Sequence, residues 1–349
     1  MGDPMTAFER TFPTTRRRVL QLLALLGLGG SEAARTAAAL AAPSNQADPV
    51  WPEMTYRILG RTGFDGSRLV FGCGAALMLW GKDDLLDEAF DHGVNVFDVG
   101  TSHYYRNAEA NLAAFAKKHR DRIFLISKGL VGIDVEPTDV LNSAQCKTAA
   151  RNWAGALDAS LTDLETDHVD AYYVMAVNNT SLTRSEEMRE AFLTAKKAGK
   201  VDHWGVSTHQ NAQAVLDAAA DTGEYSLAQI AITPAGWYDW SSKGVLAGSK
   251  SMAALQPVLA KAREAGIGLI GMKAARHLTG RWLGFGPDRP TAFDDHYDTE
   301  FLATPLSPFQ RSYAYVLAHG LDAVNADSQS PEHLHENFVA AATAQSYFA

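Results

Sequence analysis

Asp98, Lys128 and the adjacent Tyr104 and Tyr105 are the residues whose types and spacing point most directly to chemistry. Asp98 ends one short apolar run, 94–98, and Lys128 follows another, 123–127. If the runs are neighbouring parallel strands, a carboxylate and an ammonium meet at their C-terminal ends. A tyrosine on the loop after Asp98 then sits near a positive charge. That favours phenolate and makes the phenol a better proton donor to a carbonyl oxygen. Taken alone, such a pair is more often a structural ion pair.

The elements that must position these groups follow from hydrophobic periodicity. Candidate strands are 69–72, 94–98, 123–127, 169–174, 201–207, 227–232, 268–272 and 323–326. Helical patterns separate them at 84–92, 107–119, 143–165, 185–198, 211–221, 251–265, 308–317 and 331–343. The strand runs are apolar nearly throughout, as parallel strands covered by helices should be. Eight strand–helix units predict an α/β fold, a (β/α)8 TIM barrel, with active residues at the C-terminal strand ends. Residues 55–59 and 64–67, joined by Gly60-Arg61-Thr62-Gly63, read as an N-terminal β-hairpin. A doubly wound sheet would need a glycine-rich phosphate turn after its first strand. Gly72-Cys73-Gly74-Ala75-Ala76-Leu77 lacks the third glycine of that turn.

Phe97-Asp98, Ser127-Lys128, DLETDHVDAYYV and GKVDHWGVS stand in the order, and at roughly the spacing, of the aldo-keto reductase family, which the chain resembles from about residue 54 to 345. The resemblance implies reduction of an aldehyde or ketone by hydride from a nicotinamide cofactor. The family's D-T-A-x-x-Y-G-x-S-E motif is matched by Asp98 and Glu109 if the loop here is two residues longer. Counting back from Glu109 makes Tyr105 the proton donor; counting forward from Asp98 reaches His103, and Tyr104 lies between. Lys128 matches the family lysine. The family's catalytic histidine should follow DAYYV, but Met175 stands there. A thioether neither donates nor usefully accepts a proton. His103 and Asn178 are nearby candidates to orient the carbonyl instead, and losing such an orienting bond costs on the order of 10²-fold in rate. The alternative is a non-redox binding protein or pseudoenzyme on the same barrel.

The resemblance also implies cofactor contacts. Ser207 and Thr208 would hold the nicotinamide carboxamide, with Gln229 serving the same amide. No stacking aromatic follows Gln229, and Trp237 or Tyr238 would have to substitute. Lys273 and Arg276 would supply positive charge to the pyrophosphate. Ser330, Glu332 and Asn337 fit the adenosine-phosphate segment, although Gln329 replaces the expected arginine and Asp327 the usual glycine. A carboxylate there disfavours a 2′-phosphate. NADP is slightly preferred over NAD by resemblance alone. Trp80, Trp237, Tyr238, Trp240 and Trp282 would shape the substrate pocket. Ser330 before Pro331 equally suits a capped terminal helix.

A net charge of −9 argues against a broad nucleic-acid footprint. His203, His209 and His277 fall on different units, and no metal site is expected. Cys73 and Cys146 read as two unrelated thiols. Residues 1–42 resemble a twin-arginine export signal: paired arginines at Arg16-Arg17-Arg18, an apolar stretch of about a dozen residues, and Ala39-Leu40-Ala41 as a cleavage site. That stretch is too short for a stable membrane span. The expected organisation is therefore signal 1–42, linker 43–53 and barrel 54–349. The protein would meet the twin-arginine translocation machinery, reach the periplasm or the exterior, and act on a small-molecule carbonyl substrate.

Overall fold

The apolar runs form a closed ring. A computed structural model describes residues 49–279 and 288–348; the export-signal reading and Trp282 lie outside the described residues. β1 (Tyr56–Ile58) and β2 (Asp65–Ser67) pair antiparallel as the expected hairpin. The barrel strands begin with β3 (Leu69–Gly72), β4 (Val96–Asp98), β5 (Phe124–Gly129) and β6 (Val169–Val174). β7 (Val201–Thr208) and β8 (Leu227–Thr233) continue the ring. A small extension, β9 (Gly236–Asp239) and β10 (Gly244–Val245), follows before β11 (Gly268–Met272) and β12 (Ala323–Ala326). Each barrel strand is parallel to the next, and β12 pairs with β3, closing the (β/α)8 barrel.

Strand alternation sorts the side chains. Val70, Val96, Phe124, Ile126, Ala171, Tyr173, Leu227, Ile270 and Ala323 fill the barrel interior. Leu59 belongs to the same buried cluster, and Phe64 packs against it from the hairpin. Outward residues such as Phe71, Phe97, Leu125, Val206 and Ile230 pack in the larger cluster shared with the helices. Side-chain caps begin several of those helices. Asn142 and Gln145 form a reciprocal capping box for Ser143–Asp163, and Ser307 with Gln310 does so for Pro308–Ala318.

The wall buries a guanidinium near the start of β3. The Arg68 guanidinium, only 1% exposed, donates to the carbonyls of Leu317 and Leu321 (2.8 Å each) and Asp322 (3.2 Å). It joins the start of β3 to the connection entering β12. Burial lowers its pKa to about 10. The two cysteines are separate, buried thiols.

Candidate active site

Asp98 and Lys128, 30 residues apart in sequence, point inward from β4 and β5 at the C-terminal rim. Lys128 Nζ donates to both carboxylate oxygens at 2.6 Å and to the Val99 carbonyl at 2.5 Å. All three ammonium N–H bonds are thus committed. Gln229 on β8 donates Nε2–H to Asp98 Oδ2 at 3.1 Å, and Asn325 Nδ2 on β12 donates to the same oxygen. Asp98 and Lys128 are both about 5% exposed, so the pair is buried and hydrogen-bonded, the condition under which a charge tolerates the interior.

Tyr105 is brought to this pair by a single helical turn, Ser102–Tyr105. Glu109 secures the turn: its carboxylate accepts from Ser127 Oγ (2.6 Å) on β5 and from the Ser102 backbone N–H (3.2 Å). Burial raises the Glu109 pKa. The phenol ring lies between two glycines that leave it room. A Cβ on Gly74 would stand 2.8 Å from the ring, and one on Gly100 would stand 3.1 Å from it and 3.0 Å from Lys128 Cγ. Tyr105 lines a cavity with Asp98, Lys128, Met175, Ser207, His209, Gln229, Met272, Lys273, Asn325 and Asp327. Tyr104 packs edge-on against Tyr105 with centroids 4.8 Å apart, but is 47% exposed and does not line this cavity. His103 is exposed and borders a different depression, beside Arg151 and Asn152. Asn178 is also absent from the cavity wall, and its carbonyl accepts from Asn211.

The expected acidification of the phenol does not occur. Burial pushes the Tyr105 pKa up, and the Asp98 charge adds to the rise. The physical reason is that the Lys128 ammonium is directed at Asp98 and Val99. Tyr105 is therefore held as a neutral phenol, the form that can give a proton away.

The cofactor candidates divide between two adjoining spaces. The cavity around Tyr105 measures about 100 Å³. A larger one of about 480 Å³ is lined by Lys273, Arg276, Tyr313, Asn325, Asp327, Gln329, His333 and Asn337, among others. Lys273, Asn325 and Asp327 line both, so the two adjoin as the narrow and wide ends of a candidate cofactor cleft. Ser207 faces the narrow end opposite Gln229 in register. Thr208, next on the strand, alternates away from the cavity, and its hydroxyl bonds the Gln210 carbonyl. Gln229 Oε1 is buried and has no hydrogen-bond partner among the described residues. A carboxamide N–H₂ would satisfy it, so the donor set fits nicotinamide. Trp237 and Tyr238 are buried and do not line the cleft; Met272 supplies the apolar face there. Ser330 caps the helix Pro331–Thr343 through His333 N–H, while Asn337 lines the wide end and donates to Ser328 Oγ at 3.1 Å. Asp327 is pushed up in pKa by burial and accepts from Gln329 Nε2 at 2.7 Å.

Two cleft residues were not singled out for this site from the sequence. Asn325 sits inside an otherwise apolar strand run, and that polar interruption was the available signal. His209 follows Ser207-Thr208 at a strand end, but nothing in the sequence says that it shares a cavity with Tyr105.

A sequence model of the aldo/keto reductase family matches residues 82–277. A candidate aldo-keto reductase from Pseudomonas aeruginosa superposes with a TM-score of 0.57 at 20% identity, covering 83% of this chain and 95% of that one. An aldo-keto reductase from Klebsiella pneumoniae, solved with NADPH, gives 0.54 at 19% identity, over 82% and 89% of the two chains. These likenesses show the fold. No curated protein matches the sequence.

Proposed function

The chain belongs to the aldo/keto reductase family, and on that premise we propose that it is a nicotinamide-dependent oxidoreductase reducing a small aldehyde or ketone to an alcohol. The observation that carries the reading is the convergence of Tyr105, Lys128 and Asp98 on one cavity wall beside the orphaned Gln229 Oε1. A nicotinamide cofactor bound in the cleft would supply the hydride. Ser207 and Gln229 would hold its carboxamide, and Lys273, with Arg276, would face its pyrophosphate.

Tyr105 Oη would give its proton to the carbonyl oxygen as the carbonyl carbon becomes tetrahedral. Lys128 and Asp98 fix the floor beneath the phenol. Burial keeps Tyr105 protonated until the substrate oxygen develops negative charge. Solvent would then restore the phenol proton. Met175 leaves the usual second hydrogen bond to the carbonyl unmade at that position, and a slower reductase is the expected result.

NADPH and NADH fluorescence titrations, with turnover of a reactive aldehyde, test the proposal. Tyr105→Phe should abolish turnover while leaving cofactor affinity within about twofold. Turnover retained in that variant removes Tyr105 from its role. Neither cofactor binding would favour a non-redox binding protein, the reading that Met175 in the cavity wall supports.

We also propose export through the twin-arginine route to the periplasm or beyond, supported by Arg16-Arg17 before the apolar stretch. Replacing both by lysine should leave the full-length protein in the cytoplasm; unaltered export by fractionation refutes this.

A further inference from the structure

We propose that His209 donates the hydrogen bond that orients the substrate carbonyl, taking the place left by Met175. This deepens the reductase reading and rests on it. The end of β6, where Met175 stands, runs beside the end of β7, where Ser207 and Thr208 lead into His209. Val177 N–H donates to the Ser207 carbonyl at 3.0 Å, tying the two strand ends together. His209 and Met175 line the same cavity as Tyr105.

An accounting of donors leads to this residue. Lys128 has no N–H left over, and Asn325 and Gln229 each spend one amide N–H on Asp98, which holds those amides at the cavity floor. Ser207 stands opposite Gln229 in register, suited to the same carboxamide. Lys273 lines both spaces, where it would face the cofactor's pyrophosphate. The only imidazole in the cavity wall is that of His209, and no hydrogen bond to a described residue engages its ring.

Its surroundings set both its aim and its charge. The ring stands edge-on to Trp240, with centroids 5.2 Å apart at 60°. Trp240 is itself held by Lys243, 3.1 Å from its centroid, and Lys273, 5.3 Å away. Gln210 Nε2 donates to Ser241 Oγ at 2.9 Å and fastens the tip of the β9–β10 extension to the His209 loop. Burial, with the charges of Lys273, Lys128 and Lys243, holds the imidazole pKa down to about 3. The ring is therefore neutral across the working range. It keeps one N–H to polarise a carbonyl, as a neutral imidazole is able to do. The bond made is N–H···O; the proton transferred still comes from Tyr105.

The test compares His209→Phe, which keeps a ring against Trp240 but removes the N–H, with His209→Ala. NADPH dissociation constants by fluorescence should stay within about twofold of the parent. The kcat for a reactive aldehyde should fall by roughly 10²-fold in both variants. The deuterium isotope effect on kcat should rise to its full value as chemistry slows, and free imidazole should restore part of the activity to His209→Ala alone. In a Met175→His background, His209→Phe should cost less than about threefold. Parent-like kcat in His209→Phe overturns the proposal, as does a loss of activity that tracks loss of NADPH binding. If the parent binds NADPH but reduces no aldehyde, the reductase reading fails first and takes this one with it.

Discussion

Replacing Lys128 by methionine should damage the fold as well as the chemistry. The ammonium and the Asp98 carboxylate are 2.6 Å apart. At an effective dielectric of 20, their attraction is about 6 kcal/mol. It opposes the cost of burying two ions, so the net worth of the pair is much smaller. Lys128→Met removes the attraction but not the burial of the carboxylate, which keeps only Gln229 and Asn325. Breaking a buried pair this way costs about 3–5 kcal/mol. With a urea m-value of about 3 kcal/mol/M, the midpoint of unfolding should fall by about 1–1.7 M. Asp98→Asn with Lys128→Met removes both charges, and the double variant should be more stable than the sum of the single losses by about 2 kcal/mol. Intrinsic tryptophan fluorescence in urea reads all four proteins. A loss below about 1 kcal/mol in Lys128→Met, or strict additivity of the two substitutions, would refute the reasoning.

Arg68→Met strips three buried carbonyls of their donor and should destabilise the protein by about 3 kcal/mol or more, read by the same titration. Asp327→Asn keeps the contact with Gln329 but removes a charge from the wide end of the cleft. The ratio of NADPH to NADH affinity should then rise about tenfold, the equivalent of about 1.4 kcal/mol, and an unchanged ratio places the 2′-phosphate elsewhere. Because the Tyr105 pKa is raised, its proton is retained where a free tyrosine would begin to lose it near pH 10. The carbonyl-reduction rate should show no falling limb from this group between pH 7 and 9. Alcohol oxidation, which needs the phenolate, should be slow and should increase with pH. A loss of reduction with a midpoint below pH 9 would contradict this.

The barrel was legible because burial on both faces leaves unbroken apolar runs, and 69–72, 169–174, 268–272 and 323–326 match β3, β6, β11 and β12 end to end. Asp98 and Lys128 could be paired because both stand at strand ends, where direction is fixed by alternation. The loop between Asp98 and Glu109 was harder. Its one helical turn, not its length, puts Tyr105 rather than Tyr104 against the cavity, and Gly74 and Gly100 make the space. The same limit hid His209, whose placement depends on contact with a β9–β10 extension far along the chain. Arg68 was illegible for another reason: its partners are backbone carbonyls, which carry no sequence signature. Nearness to Lys128 in the sequence pattern does not translate into an acidic Tyr105, because the ammonium is spent on Asp98 and Val99, which only the structure shows.

Asp98 gathers donors from β5, β8 and β12 and so acts as a keystone for strands that are distant along the chain. A descendant whose cleft served another purpose would still suffer on losing it. Finding this aspartate and lysine together in some remote sequence would therefore testify to inherited masonry before it testified to a working reductase, and the rim above them is where a change of trade would first be written.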